Sequence, residues 1–436
     1  MLRKNELRQF DLPLIIAVVC VVTIGILTIY SAGFDPIEGI NSGLYKRQLL
    51  WFIVGFLVLI GMTFVDYRLL GDYSLHIYVF ILVVTLLTSL FGKPIRNIRA
   101  WIDFGFFSIQ PSEFMKLSVV LLVAKYIDIR DRDMIHFREL LIPSIITLVP
   151  VSVILLQPDF GTAMLFFPIL FIMLFIGGAD VSHLISALII VSVALVVPMF
   201  ITYREWINQD VANPFIDFFR SGYYIYLVAG IIFAIGMLFY VIHLLHFNRI
   251  YRRIYIPSFV ISLSLFCAVV IQRMFKDYQK KRILVFLNTD LDPHSSGYNI
   301  IQAKIAIGSG GFFGKGYLKG TQSQLGFLPE KTSDFIFAVV AEEWGFVGAI
   351  ILIGLFCFII YRGIRIALET RDRFGAMLAI GITSVIFFHT MVNIGMASGV
   401  MPVTGLPLSF VSAGGSNFLM AMMGVGLLIS IKLRRE

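Results

Sequence analysis

Long apolar runs recur along this 436-residue chain. A helix needs about 17–25 such residues to cross a hydrocarbon core. Lipid offers no partners to backbone polar groups, so serial runs of this length read as membrane helices rather than as buried strands. They lie near residues 12–33, 48–65, 73–91, 112–127, 140–156, 160–178, 183–202, 223–244, 254–271, 333–361, 374–398 and 407–431. The pattern predicts an all-α, polytopic membrane bundle of about 12 spans. Charged residues are 14% of the chain and hydrophobic ones 58%, whereas soluble chains carry roughly 25% charged residues. A soluble domain of this length has too little interior for that much apolar surface.

Cys20, Cys267 and Cys357 all sit inside apolar runs, which points to buried filler rather than a disulfide framework or a thiolate metal site. The run at Leu14–Tyr30 is followed by further spans, so it reads as a retained first span rather than a cleaved leader. Basic residues set the orientation. With the N-terminus inside, the inner connections carry Arg68, then Lys125, Arg130, Arg132 and Arg138, then Arg249, Arg252 and Arg253, then Arg362, Arg365, Arg371 and Arg373. Both tails are basic as well, which predicts cytoplasmic termini. The net charge of +8 is thereby accounted for by orientation and anionic membrane lipids, with no nucleic-acid partner required.

Three outer stretches depart from plain membrane sequence. In Gly92–Glu113, Arg96, Arg99, Trp101 and Asp103 precede Gln110, Pro111, Ser112 and Glu113. Proline suits a first helical turn and a glutamate there gains from exposed amides, so a helix start explains Glu113 as well as a functional role does. Lys116 lies three residues on, on the same face. Two ionisable groups at the edge of an apolar span must face protein or water, as a structural ion pair or as the wall of a cavity. In Gln157–Phe160, Asp159 is placed to cap the following helix. The third stretch, 272–332, is a large outer loop holding Asp290, Asp292, Pro293, His294 and the glycines between Gly308 and Gly316. Asp-Pro is a turn former, and the glycine spacing matches no nucleotide-binding fingerprint, so tight turns or hinges are expected there. Ile300–Ile307 reads as a short helix against the bundle, and His294 lacks neighbours for a metal centre. Pro and Gly between Asn393 and Asn417 require non-helical backbone facing protein or a wet cavity.

These landmarks together resemble the SEDS family of shape, elongation, division and sporulation proteins, and most of all its RodA-type elongation branch. The resemblance rests on Asn393, Gly399, Pro402, Gly405, Pro407, Ser412, Gly414, Gly415 and Ser416, and on Gln110–Glu113 and Gln157–Asp159. It extends through GYNIIQAKIAIGSGG at Gly297–Gly311 and GTQSQLGFLPEKTSD at Gly320–Asp334, so it spans nearly the whole chain. It implies a single membrane domain over 1–436 and a peptidoglycan glycosyltransferase that polymerises lipid II and releases undecaprenyl pyrophosphate. Asp292 matches the family's essential aspartate and is the catalytic candidate. Glu113, Lys116, Trp101, Arg96, Arg99, Asp159 and Ser416 are the substrate-binding or cavity candidates. No tightly bound cofactor is implied, although a divalent cation, Mg or Mn, could offset charge developing on the pyrophosphate. The implied partners are lipid II, membrane lipids, the elongation machinery and a class B penicillin-binding transpeptidase with one span.

The family's usual ten spans leave residues 203–275 as an apparent insertion of two more, and this even number keeps the large loop outside. A lipid II flippase and a non-enzymatic scaffold for wall-synthesis enzymes remain alternatives, since buried charge and broken helices also serve transporters. The expected location is the bacterial cytoplasmic membrane, with both termini inside and the active site outside. A topology reporter fused after Glu436 should give a cytoplasmic signal, and an extracytoplasmic signal would overturn this orientation.

Overall fold

The structure is a computed structural model that describes residues 10–35, 39–92, 99–105, 107–130, 134–207, 223–246, 248–274, 285–286 and 296–434, without the side chains of 204–207, 274 and 296. Its helices run α1 Leu12–Ala32, α2 Leu44–Phe64, α3 Tyr67–Asp72, α4 Ser74–Phe91, α5 Pro111–Arg130, α6 Phe137–Leu156, α7 Phe160–Ile176 and α8 Val181–Ile207. They continue as α9 Tyr223–His246, α10 Arg249–Met274, α11 Ser296–Ser309, α12 Thr321–Gln324, α13 Ile336–Glu369, α14 Arg373–Ala397 and α15 Gly415–Leu433. Two small antiparallel hairpins, Phe34–Asp35 with Ile40–Asn41 and Ile102–Asp103 with Ser108–Ile109, join α1 to α2 and precede α5.

Among the described residues ten helices are long and apolar enough to cross a membrane, against about 12 expected. The difference falls on the runs at 112–127 and 160–178. The first becomes α5, which carries Glu113, Lys116, Lys125, Asp128 and Arg130, and the second becomes α7, of 17 residues. The last span also begins later than expected, at Gly415 rather than 407, because the Pro- and Gly-containing segment before it is not helical.

The chain forms two compact units, Asp180–Asp292 and the remainder. In the smaller unit α10 packs on α8 and α9, with Ile201, Ile225 and Val269 at its core and Ser262 donating to the Ala229 carbonyl at 2.8 Å. In the larger unit α14 and α15 are the most enclosed helices, and α5 lies against both. The α2–α15 packing needs small residues: a Cβ at Gly55 would lie 2.6 Å from the Phe418 ring, and one at Gly426 would lie 2.6 Å from the Leu59 carbonyl oxygen.

Ion pairs tie helix ends together where side chains can reach polar surroundings. Buried Asp11 caps α1 by accepting from Leu14 N at 3.3 Å. Its other oxygen meets Arg362 of α13 at 2.6 Å and Lys432 of α15 at 3.0 Å. Asp372 caps α14 through Gly375 N at 3.1 Å.

Helix α13 is broken at Gly345, whose φ of 68° and ψ of −162° no helix accommodates. The freed groups are not left bare. The carbonyls of Glu342 and Glu343 accept from Lys315 N and Gly316 N, both at 3.0 Å, while Phe346 N donates to the Gly311 carbonyl at 2.9 Å. This stitching is the role of the glycine-rich run that the sequence marked as turns. A Cβ at Gly310 would fall 2.0 Å from the Ala341 oxygen, and one at Gly314, where φ is +82°, 2.1 Å from the Glu343 oxygen. Gly314→Ala should therefore destabilise by about 2 kcal/mol or more, from strain added to a backbone clash. Gly308→Ala, inside α11 with open space around its Cβ position, should be neutral or stabilising by about 0.5–1 kcal/mol. Thermal midpoints of the two purified variants test this; equal midpoints would contradict the account.

Candidate active site

Pro111 opens α5 with its φ already fixed, and Glu113 follows in the first turn, where the helix's free amides favour a carboxylate. Lys116 lies one turn further on the same face, with its Nζ 2.8 Å from Glu113 Oε2. The two residues are only 1% and 3% exposed. A buried ion pair persists only when further hydrogen bonds satisfy its remaining atoms, because desolvation otherwise outweighs the attraction. Two other helices supply them. Asn417 Nδ2, in the first turn of α15, donates to Glu113 Oε2 at 2.9 Å. His389 Nε2, in the middle of α14, lies 2.7 Å from Lys116 Nζ.

The surrounding connections hold this cluster in register. Gln110 N donates to Ser416 Oγ at 2.8 Å, which pins the start of α5 to the start of α15. Gln110 Nε2 donates to Asp159 Oδ2 at 2.7 Å, and Asp159 Oδ1 caps α7 by accepting from Thr162 N at 3.1 Å. Burial pushes the Asp159 carboxyl above its ordinary value, and the bonds from Thr162 pull against that shift. One turn past His389 along α14, Asn393 Nδ2 donates to the Leu406 and Asp334 carbonyls at 2.7 and 2.8 Å, which fastens the irregular segment after α14 to the helix itself.

Glu113, Lys116, Asp159 and Ser416 are thus brought together. Trp101 and Arg99 are not. Trp101 is half-buried in a separate groove of about 360 Å³ against Val84, Leu87, Thr88 and Phe91, and Arg99 is exposed. Arg96 and Asp292, with Asp290 and His294, lie outside the described residues.

The sequence reading passed over His389. A single histidine within the apolar run 374–398 was the available signal, because an ionisable group at such depth needs a partner. Glu342 and Glu343 were missed in the same way. The Glu342 carboxylate receives Lys315 Nζ and Gln322 N at 2.8 Å and Ser323 N and Oγ at 3.0 Å, and Glu343 is bonded by Ser31 of α1. These two glutamates anchor the loop before α13.

Among the described residues no group of three or more His, Cys, Asp or Glu comes together as a metal site. Glu113 is engaged by Lys116 and Asn417, and Asp159 by Gln110 and Thr162, so the described donors do not fit a divalent cation.

Comparison with known proteins gives a consistent result. The model of the FtsW/RodA/SpoVE family, described as cell cycle protein, matches residues 12–239 and 227–436. The chain is 34% identical to the peptidoglycan glycosyltransferase RodA of Treponema pallidum (strain Nichols), over all of both chains. It is 30% identical to the peptidoglycan glycosyltransferase MrdB of Escherichia coli (strain K12), covering 98% of this chain and 95% of that one. It resembles a solved chain of a peptidoglycan synthase complex, reported for its coordination of polymerization and crosslinking, with a TM-score of 0.71 and 26% identity over 98% of each chain. The rod shape determining protein RodA of Thermus thermophilus shares the fold, with a TM-score of 0.60 and 24% identity over 98% of this chain and 97% of that one.

The capping role of Asp159 is separable from its charge. Asp159→Asn should keep the cap and change stability little, whereas Asp159→Ala should cost about 1 kcal/mol. A thermal midpoint for the alanine variant equal to that of the asparagine variant would contradict the role.

Proposed function

Because this chain belongs to the FtsW/RodA/SpoVE family, we propose that it polymerises lipid II, the lipid-linked disaccharide-pentapeptide, into glycan strands during cell elongation. It is a peptidoglycan glycosyltransferase, an activity named for relatives that align with nearly all of it. One observation carries the site: an enclosed Glu113–Lys116 pair in the first two turns of α5, held by residues of two further helices. A pair so buried, with one ammonium N–H still uncommitted, places a fixed ion pair beside irregular backbone, where a lipid-linked substrate with an anionic pyrophosphate can be recognised.

In this reading Asp292 accepts the proton of the acceptor sugar hydroxyl as that oxygen forms its bond to the donor's anomeric carbon. The bond from that carbon to the pyrophosphate oxygen breaks, and undecaprenyl pyrophosphate leaves as a stable anion. Lys116, Arg96 and Arg99 are the cations proposed to offset its charge. Asp292 takes its role from its position in the family-like loop sequence. Glu113 and Asp159, with Ser416, support the cavity wall, and Trp101 a neighbouring groove.

The topology proposed is twelve crossings, with the charge-bearing α5 and the 17-residue α7 added to the ten helices long and apolar enough to cross. Support for α5 comes from its charge placement: Glu113 and Lys116 are buried in the first two turns, Lys125, Asp128 and Arg130 lie in the last two, and Leu117–Ala124 between them is free of charged side chains. With the basic connections inside, an even count puts both termini on the cytoplasmic side, and the nine crossings before it put the large loop outside. A class B penicillin-binding transpeptidase is the proposed partner, supported by the likeness to a chain of a complex that couples polymerization to crosslinking.

The test is polymerisation of purified lipid II by the full-length protein with its transpeptidase partner. Asp292→Ala should abolish glycan product, with yield and lipid II binding retained. Polymer made by the alanine variant would overturn the assignment of Asp292. Lipid II translocation without polymer from the wild type would overturn the enzyme reading.

A further inference from the structure

His389 is completely buried in an apolar helix, yet both ring nitrogens lie close to polar atoms. Their identities fix its chemical form. Lys116 Nζ, 2.7 Å from Nε2, has only hydrogens to offer, so Nε2 must present its lone pair. The ring hydrogen then sits on Nδ1 and points to the Pro407 carbonyl at 3.3 Å. Protonating the ring would set two cationic donors face to face at that 2.7 Å contact, so the arrangement requires a neutral imidazole. Asn417 Nδ2 lies 3.4 Å from Nδ1, but it is a donor facing a donor, and its bond goes to Glu113.

The Pro407 carbonyl is free to accept because the chain between α14 and α15 is not helical. Asn393, one turn along α14 from His389, binds the neighbouring Leu406 carbonyl at 2.7 Å. The irregular segment therefore holds the imidazole from one side, and the imidazole holds Lys116 from the other.

An ammonium has three N–H bonds and rotates freely about its last carbon–nitrogen bond. Glu113 and His389 take two of the three in fixed directions, which leaves one direction for the third. The second acceptor matters also for what it lacks. A carboxylate in its place would orient the ammonium but leave the cluster with a net negative charge that repels an anionic ligand, whereas neutral imidazole orients it and leaves the Glu113–Lys116 pair balanced.

We propose that His389 is a positioning residue for glycosyl transfer: as a neutral acceptor, backed by the Pro407 carbonyl, it fixes the Lys116 ammonium in one rotational state without neutralising it. The proposal rests on the glycosyltransferase reading above and adds to it a residue that touches neither sugar nor pyrophosphate.

The experiment compares wild type, His389→Gln and His389→Phe as full-length proteins with the partner present, using lipid II as the probe and Asp292→Ala as the blank. Glutamine reaches the Nε2 position with an amide oxygen that can accept from Lys116, whereas phenylalanine fills the space with no acceptor. His389→Phe should lower kcat about a hundredfold, the order of loss expected when a catalytic group is misoriented. Its KM should stay within about threefold, because the loss falls on the transition state. His389→Gln should recover at least about tenfold of that kcat. Equal kcat for the two variants at matched thermal midpoints would overturn the proposal, since a merely structural histidine would not distinguish them. In wild-type protein labelled with 15N-histidine, the signal lost in His389→Gln should be that of a neutral ring protonated at Nδ1. A charged ring or the opposite tautomer at neutral pH overturns the proposal even where His389→Phe fails to fold. Absence of polymer from the wild type would instead count against the glycosyltransferase reading, and the tautomer result stands apart from it.

Discussion

A carboxylate and an ammonium enclosed together in an apolar bundle are the constraint around which much of the larger unit is arranged. Neither Glu113 nor Lys116 has solvent to fall back on, so other elements must supply their remaining partners. This requirement explains why a histidine sits in α14, why an asparagine sits at the head of α15, and why Gln110 and Ser416 bond the two helix starts. Each of these side chains would be costly in its helix if unpaired. Together they hold α5, α14 and α15 in one register, and Asp159 extends the network to α7.

Irregular backbone recurs next to these polar groups, and each such piece has its partners. The break at Gly345 is closed by amides and carbonyls of the 311–316 loop, with the Glu342 carboxylate gathering five further groups. The segment between α14 and α15 is closed by Asn393, by Ser412, which donates to the Ser333 carbonyl at 2.6 Å, and by Ala413 N, which donates to the Thr332 carbonyl at 2.8 Å. Non-helical chain is tolerated at membrane depth on these terms, and it supplies what a continuous helix cannot: carbonyls such as that of Pro407, free to orient a side chain.

What could be read from the sequence follows how local each signal is. Apolar periods and caps are local, so the helical runs, the Asp159 cap and the i, i+3 pairing of Glu113 with Lys116 were all legible. The glycine run was legible as turns, but its purpose was not, because the backbone it stitches lies some thirty residues away at Glu342–Val347. His389 and Asn417 complete the pair from more than 270 residues further along the chain, and only their presence in an apolar run hinted at a role. Trp101 entered through the resemblance alone, and no local signal in the sequence foretold its groove beside α4.

The central claim is that the Glu113–Lys116 pair serves the reaction and is not only a staple. A double-mutant cycle of Glu113→Gln, Lys116→Met and both together, read as thermal stability and as lipid II polymerisation, tests it most directly. Each single change should cost about 3–5 kcal/mol by leaving a buried charge unpaired, and the double should recover most of that stability. Polymerisation should remain at least about a hundredfold below wild type in the stable double variant, because no charge is left to orient. A double variant that polymerises lipid II as the wild type does would contradict the claim.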